Sequence, residues 1–241
     1  MKSLIIVPAR AGSKGIPGKN SKELGGKPLI SYTLEMALAI SKKINSEVCV
    51  STDDKAIIEI TKKTGLEISF IRPEILSSDT ASIIDVVKHA LTHYNQQGEA
   101  FDSFILLQPT SPFRRLSDVV NAINLFKEQE SADAVISVCE SKANPYYNLF
   151  EEKAGYLCSS KFIEGLTRRQ DAPLVYELNG AVYVVRTTSF MEQNAISTLN
   201  KAKKMVMPFI NSVDIDSAAD WNYCEFIIQN KLININNLIN T

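Results

Sequence analysis

The chain has 241 residues, 45% of them hydrophobic and 22% charged, enough to fill the core of one large α/β domain without a second one. Lys and Arg number 26 against 27 Asp and Glu, so the formal charge of −1 gives no general attraction to nucleic acid or to an anionic membrane. No apolar run approaches the ~18 residues of a membrane-spanning helix, and the opening residues lack the pattern of a secretory leader, so a cytoplasmic protein is expected.

In chain order, short β-branched runs alternate with segments of helical period. Strands are expected at 3–8, 47–51, 67–71, 103–108 and 133–139. Between them, Pro28 to Lys43 carries Leu29, Ile30, Leu34, Ala37 and Leu38 at helical spacing, and Asp79 or Thr80 would cap a second helix running to about Tyr94. This order predicts an α/β, Rossmann-like fold with a mostly parallel sheet flanked by helices. After about residue 140 the alternation breaks down, and 141–185 is read as an inserted element that leaves the main sheet. Further strands are expected at 181–186 and 203–209. A closing helix is expected at 218–229, packed through Trp221, Phe226 and Ile227, and the tail 230–241 would extend it or fray. The expected division is thus 1–140 with 186–229 as the α/β domain, 141–185 as the insertion and 230–241 as the tail. Cys49, Cys139, Cys158 and Cys224 are widely spaced, with no C-x-x-C pair, and read as buried reduced thiols.

The first strand runs directly into Arg10 to Asn20, a loop with glycines at 12, 15 and 18 and cations at Arg10, Lys14 and Lys19. Glycines let backbone N–H groups approach an anion, and the cations would offset polyphosphate charge. The spacing is neither a Walker A loop nor a G-x-G-x-x-G dinucleotide fingerprint. In open α/β sheets ligands gather at the carboxyl ends of the strands, where Arg10 to Lys19, Asp53, Asp54, Arg72 and Gln108 all fall.

Asp214 and Asp216 flank Ile215, so in an extended segment both carboxylates share one face, about 6.6 Å apart along the chain. Such a pair suits Mg²⁺, which takes one or two carboxylates plus phosphate oxygens and waters; alternatively, Asp216 or Ser217 caps the last helix. Arg72 and Ser78 to Ser82 also read as a strand end followed by a capped helix. Asp53 and Asp54 either orient a ribose or close a turn. Gln108 either serves a pocket floor or bonds a turn. His89 and His93 share a helix face, but Ala90 stands where H-E-x-x-H has its glutamate, which argues against zinc.

Pro8-Ala9-Arg10-Ala11-Gly12-Ser13-Lys14-Gly15 closed by Lys19-Asn20 resembles the opening of the acylneuraminate cytidylyltransferases, which make CMP-activated sialic and related nonulosonic acids. Further blocks follow in that family's order: Ser51-Thr52-Asp53, Arg72-Pro73, Ser78 to Ser82, Leu106 to Pro112, Arg169-Gln170, Asn179 to Tyr183 and Asp214-Ile215-Asp216. The resemblance implies a nucleotidyltransferase using CTP, a nonulosonic acid and Mg²⁺, with a homodimer formed through the segment after the main sheet. It assigns catalysis to Arg10, Lys14, Lys19, Asp214 and Asp216, with Asp214 and Asp216 as metal ligands. It assigns nucleotide contact to Pro8, Ala9, Arg10, Gly12, Ser13, Asn20, Arg72, Ala81 and Ser82. Sugar contact falls to Gln108, Arg168, Arg169, Gln170 and Tyr183. CMP-Kdo synthetases are the nearest rival, with a different opening, and a non-catalytic sugar- or nucleotide-binding module is a more distant one. Sialate-specific members often have Arg-Pro before Asn-Gly-Ala, whereas this chain has Glu177-Leu178, which points to a differently decorated sugar such as legionaminic acid.

Overall fold

The computed structural model describes residues 1–241 except 13, 14, 79, 195, 197, 198 and 241. The elements run β1 (Ser3–Pro8), β2 (Glu23–Leu24), β3 (Lys27–Pro28), α1 (Leu29–Ile44), β4 (Glu47–Ser51), α2 (Lys55–Lys63) and α3 (Ile83–Gln96). They continue with β5 (Ser103–Leu107), α4 (Leu116–Glu128), β6 (Ala134–Glu140), β7 (Phe150–Lys153), β8 (Tyr156–Ser159), β9 (Tyr176–Arg186), α5 (Thr187–Gln193), β10 (Ala202–Val206) and α6 (Ala218–Gln229).

Six strands form the central sheet in the order β10-β6-β9-β5-β1-β4. β4, β1 and β5 pair in parallel, as do β10 and β6, while β9 runs antiparallel between β5 and β6. β1 is buried from Ser3 to Pro8 because helices cover both faces, so its sequence is a continuous apolar run rather than an alternation. The period of two still sorts the side chains. Ile5, Val7, Val48, Val50, Ile105 and Leu107 face one core with α1 and α4, and Leu4, Ile6, Cys49, Phe104 and Leu106 face the other with α3 and α5.

A third cluster lies outside the sheet and matters most for function. Ile16 of the first loop, Leu29 and Tyr32 of α1, Phe113, Ile215, and Trp221 with Ile227 of α6 pack together. Each such side chain contributes about 2 kcal/mol when buried. Ile16 and Ile215, which carry the glycine-rich loop and the aspartate pair, are thereby drawn into one place.

Several expectations are corrected. Residues 67–71 alternate like a strand, but beyond a single bridge between Thr52 and Ile71 they are irregular. The strand expected at 181–186 begins at Tyr176, which puts 176–185, grouped with the insertion on sequence, inside the central sheet. Residues 150–159 form the hairpin β7–β8, paired outside that sheet. α3 starts at Ile83, with Ser82 Oγ accepting from the Ile84 N–H at 3.1 Å, so Ser82 rather than Thr80 is the cap; Asp79 lies outside the described residues. β10 ends at Val206 rather than 209. Phe226 is exposed while Trp221 and Ile227 are buried. Among the described residues the tail does not extend α6, which ends at Gln229, but packs back on the domain. Leu238 is buried, and its carbonyl accepts from the Leu116 N–H at 2.7 Å, satisfying a donor in the first turn of α4. Of the four thiols, Cys158 on β8 is only half-buried.

Candidate active site

A cleft of about 420 Å³ opens at the carboxyl ends of β1 and β5. Pro8, Arg10, Gly15, Lys19 and Asn20 line one side, Arg72, Ala81, Ile83 and Val86 a second, and Gln108, Pro109, Thr110 and Asp216 the floor and far wall. Residues from both ends of the sequence thus share one concavity.

Local chemistry fixes the first loop. The Ala9 N–H donates to the Ser51 carbonyl at 2.9 Å, continuing the β1–β4 ladder one residue past the strand, and the Ala11 N–H donates to Asp53 Oδ1 at 2.9 Å. Gly18 has φ of 61°, a left-handed turn that a side chain resists. Gly15 matters for a different reason: a Cβ there would lie 2.1 Å from the Asp216 carbonyl oxygen. At Gly12 no described residue lies within 4 Å of such a Cβ; this glycine is exposed and outside the cleft lining. Ser13 and Lys14 lie outside the described residues.

Lys19 is buried and reaches the other cluster. Its Nζ donates to the Ile215 carbonyl and stands 3.5 Å from Asp216 Oδ1. The Ile215 N–H donates to the Thr110 carbonyl at 2.9 Å, so the aspartate segment is held from both sides. Ser217 caps α6 with Asp220, which leaves the Asp216 carboxylate to the cleft. Asp214 lies deeper, beside Gly180, whose Cβ position would be 3.3 Å from Asp214 Oδ2. Burial, together with the Asp216 charge, pushes the Asp214 carboxyl above its usual range, while Thr110, Lys19 and Arg114 pull it back. Asp214 Oδ1 is buried without a hydrogen-bond partner among the described residues. An orphaned carboxylate oxygen beside a second carboxylate fits a hard divalent cation that completes its shell with phosphate and water. No group of three or more His, Cys, Asp or Glu among the described residues could hold a metal ion without such outside ligands.

Arg72 is buried, donating to Ser51 Oγ at 3.0 Å and to the Ser51 carbonyl at 2.5 Å; burial lowers its guanidinium to about 10, with Asp53 opposing the shift. Asn20 Nδ2 donates to the Arg10 carbonyl at 3.3 Å, while its buried Oδ1 has no partner among the described residues. Asp53 and Asp54 take the turn alternative, Asp53 latching the first loop and Asp54 capping α2 through the Ala56 N–H. Ala9 lies just behind Pro8, and Ser82 caps α3 beside Ala81 rather than lining the cleft.

Not every expected residue converges. Arg168, Arg169 and Gln170 sit at an exposed turn away from this cleft, Arg168 pairing with Asp171 at 2.7 Å and Arg169 reaching the Lys142 carbonyl. Tyr183 is a central β9 residue paired with Leu106, its hydroxyl pushed up by burial and by Asp214.

Arg114 was not anticipated. It is 1% exposed and donates to the carbonyls of Ser111, Ala181 and Gln108 and to Thr33 Oγ1. Its neighbour Arg115 is half-exposed and pairs with Asp118 at the start of α4. Two adjacent arginines carry no local signal of which one turns inward.

The mostly parallel sheet, the cationic loop and the neighbouring carboxylates fit a nucleotidyltransferase. The chain belongs to the cytidylyltransferase family, whose model matches residues 4–205. A CMP-N,N'-diacetyllegionaminic acid synthase of Legionella pneumophila is 32% identical over 95% of this chain and 97% of the relative. An N-acylneuraminate cytidylyltransferase of Streptococcus agalactiae is also 32% identical, over 92% of this chain but 52% of the relative. Among solved structures, a CMP:2-keto-3-deoxy-manno-octonic acid synthetase complexed with CTP superposes with a TM-score of 0.66, covering 96% of this chain and 100% of that one; at 18% identity it supports the fold.

Proposed function

We propose that the chain joins CTP to a sialic-acid-like nonulosonic acid, of legionaminate rather than N-acetylneuraminate type, giving the CMP-sugar and pyrophosphate. The observation that carries this is the meeting of Lys19 with the Asp214–Asp216 segment in the cleft that Arg10, Asn20, Arg72 and Gln108 also line. The legionaminate preference rests on Glu177-Leu178 before Asn179 and on the Legionella relative matching along nearly its full length.

Arg10, Lys14 and Lys19 offset the β- and γ-phosphate charge, so the leaving pyrophosphate departs from an environment already arranged for anions. Arg72, Ala81 and Asn20 hold the nucleoside. Gln108 presents an amide to the sugar acid, whose anomeric hydroxyl attacks the α-phosphorus in line. Asp214 and Asp216 would hold Mg²⁺, which when bound supplies Lewis-acid stabilisation of charge on the phosphoryl oxygens.

Arg168, Arg169 and Gln170 reach a sugar pocket in this reading when two chains pair through the segment after β6. Supporting this, Tyr156, Leu157 and Phe162 are 76%, 77% and 81% exposed, a concentration of apolar surface suited to a second copy. Light scattering is expected to give twice the 26.7 kDa chain mass, and a species of one chain mass would contradict pairing. The reaction belongs in the cytoplasm, where CTP is available; no helix among the described residues is long and apolar enough to cross a membrane.

The test is pyrophosphate release from each nucleoside triphosphate with legionaminic acid, N-acetylneuraminate and Kdo as acceptors. CTP with a nine-carbon acid should turn over fastest. Release with Kdo alone would favour the eight-carbon reading.

A further inference from the structure

We propose that Arg114 is the positioning residue of the aspartate pair, one buried guanidinium tying together the two walls between which Asp214 and Asp216 are set. This rests on the metal-holding role given to those aspartates above.

The first wall is the turn after β5. Arg114 Nε donates to the Ser111 carbonyl at 3.1 Å and Nη2 donates to the Gln108 carbonyl, so the guanidinium clamps the turn on either side of Thr110. The Thr110 carbonyl in turn receives the Ile215 N–H at 2.9 Å and sets the height of the aspartate segment. The second wall is β9. Nη1 donates to the Ala181 carbonyl at 2.7 Å, and the preceding residue, Gly180, lies beside Asp214, a Cβ there reaching 3.3 Å from Asp214 Oδ2. Nη2 also reaches Thr33 Oγ1 at 2.9 Å, anchoring both walls to α1.

Only a planar fork with several fixed donors can serve three carbonyls and a hydroxyl from three elements at once; an ammonium is a point charge without that geometry. Burying a cation is costly, and no carboxylate among the described residues hydrogen-bonds it. The Asp214 charge favours its ionised form, so the cation and the aspartate support each other through the walls as well as through space.

The test measures Mn²⁺ binding to the CTP-loaded protein by electron paramagnetic resonance, with thermal melting alongside, for Arg114→Lys, Thr33→Val and Asp214→Asn. Arg114→Lys is expected to bind Mn²⁺ at least ~10-fold more weakly, the scale for loss of an outer partner of a metal ligand, while CTP affinity measured without metal changes less. Thr33→Val, which removes the guanidinium's anchor on α1 together with the hydroxyl's own 3.4 Å bond to the Gln108 carbonyl but leaves the other three Arg114 bonds in place, is expected to weaken Mn²⁺ about threefold on the same basis and covers the case in which Arg114→Lys does not fold. Mn²⁺ binding within twofold of the unchanged chain in whichever of these two variants fold overturns the inference. If Asp214→Asn loses Mn²⁺ while those variants keep it, only the role of Arg114 falls. If Asp214→Asn binds Mn²⁺ normally, the metal reading falls and takes this inference with it.

Discussion

Lys19 and Asp216 stand 197 positions apart in sequence, yet the lysine Nζ lies 3.5 Å from the aspartate Oδ1 and also donates to the carbonyl of Ile215. The contact follows from packing rather than from charge alone, because Ile16 and Ile215 enter the same apolar cluster and carry their polar neighbours with them. Since the Asp216 carboxylate is largely exposed, solvent screens the pair, and its value lies in placement for a ligand more than in stability.

Gly15→Ala is expected to separate the two loops. Its Cβ would meet the Asp216 carbonyl oxygen at 2.1 Å, a backbone atom that cannot rotate away. Steady-state kinetics should show a raised KM for CTP and a turnover reduced about 10-fold or more, as a small misplacement of reacting groups commonly costs. Gly12→Ala, with open space around it, is the matched control and should behave as the unchanged chain. Equal effects from both would mean that the close approach has no catalytic consequence.

At Gly180 backbone and site are linked again. Its φ of 71° and a Cβ position that would lie 3.3 Å from Asp214 Oδ2 make Gly180→Ala costly, at about 1–2 kcal/mol for the left-handed conformation. Melting curves should record that loss, and pyrophosphate release should fall by more than the stability change explains. The neighbouring Asn179 lies where β9 shifts register against β6, its Oδ1 accepting from Ser137 Oγ at 2.6 Å and its Nδ2 donating to Ser212 Oγ at 2.9 Å. Asn179→Ala takes away the acceptor of the buried Ser137 hydroxyl and of the Ala181 N–H, which Asn179 Oδ1 also receives at 3.2 Å, and should destabilise by about 1–3 kcal/mol.

Much of this site could be read from the sequence because its motifs are local. The cationic loop follows a strand, and Asp-Ile-Asp precedes a serine-capped helix, so both carry their geometry in adjacent residues. Arg114 could not be singled out: Phe113-Arg114-Arg115 offers two equal cations, and only Ala181 and Thr33, distant in sequence, select one of them. The antiparallel placement of β9 was hidden for the same reason, since pairing between Leu106 and Tyr183 is non-local. Glu67 to Ile71 misled because its alternation is that of a strand, yet it joins the sheet only through one bridge at Ile71. α4 did carry a signal, with buried Val119, Ala122, Ile123 and Phe126 at helical spacing, whereas short α2 buries only Ile57 and Thr61.

Alkaline pH should weaken the fold. Burial pushes the Cys49 thiol and the Tyr94 hydroxyl up to about 12, from ordinary values of 9.0 and 10.0. Raised acids of this kind stabilise the native state below their unfolded values, and the contribution is lost as pH climbs through the folded ones. Denaturant titrations should therefore show stability falling between about pH 9 and 12, and Cys49→Ala should flatten the slope. The same burial predicts that a thiol reagent labels Cys158 first in the native protein, ahead of Cys49, Cys139 and Cys224.

Sugar choice is tested at Glu177, an exposed β9 residue that accepts from Ser141 Oγ at 3.4 Å. Replacing Glu177 with Arg, together with Leu178→Pro, should shift the ratio of kcat/KM toward N-acetylneuraminate. No change in that ratio would show that these two positions only face solvent.

The central claim is that the N-terminal cations and the C-terminal aspartates act on one bound CTP, and a kinetic cycle tests it most directly. Pyrophosphate release should be measured for Lys19→Met, Asp214→Asn and the double variant. Each single change is expected to lower turnover at least ~10²-fold, and the double should fall well short of the product of the two, as groups acting as a unit do. Either single variant retaining near-normal turnover, or losses that multiply in full, would contradict the account.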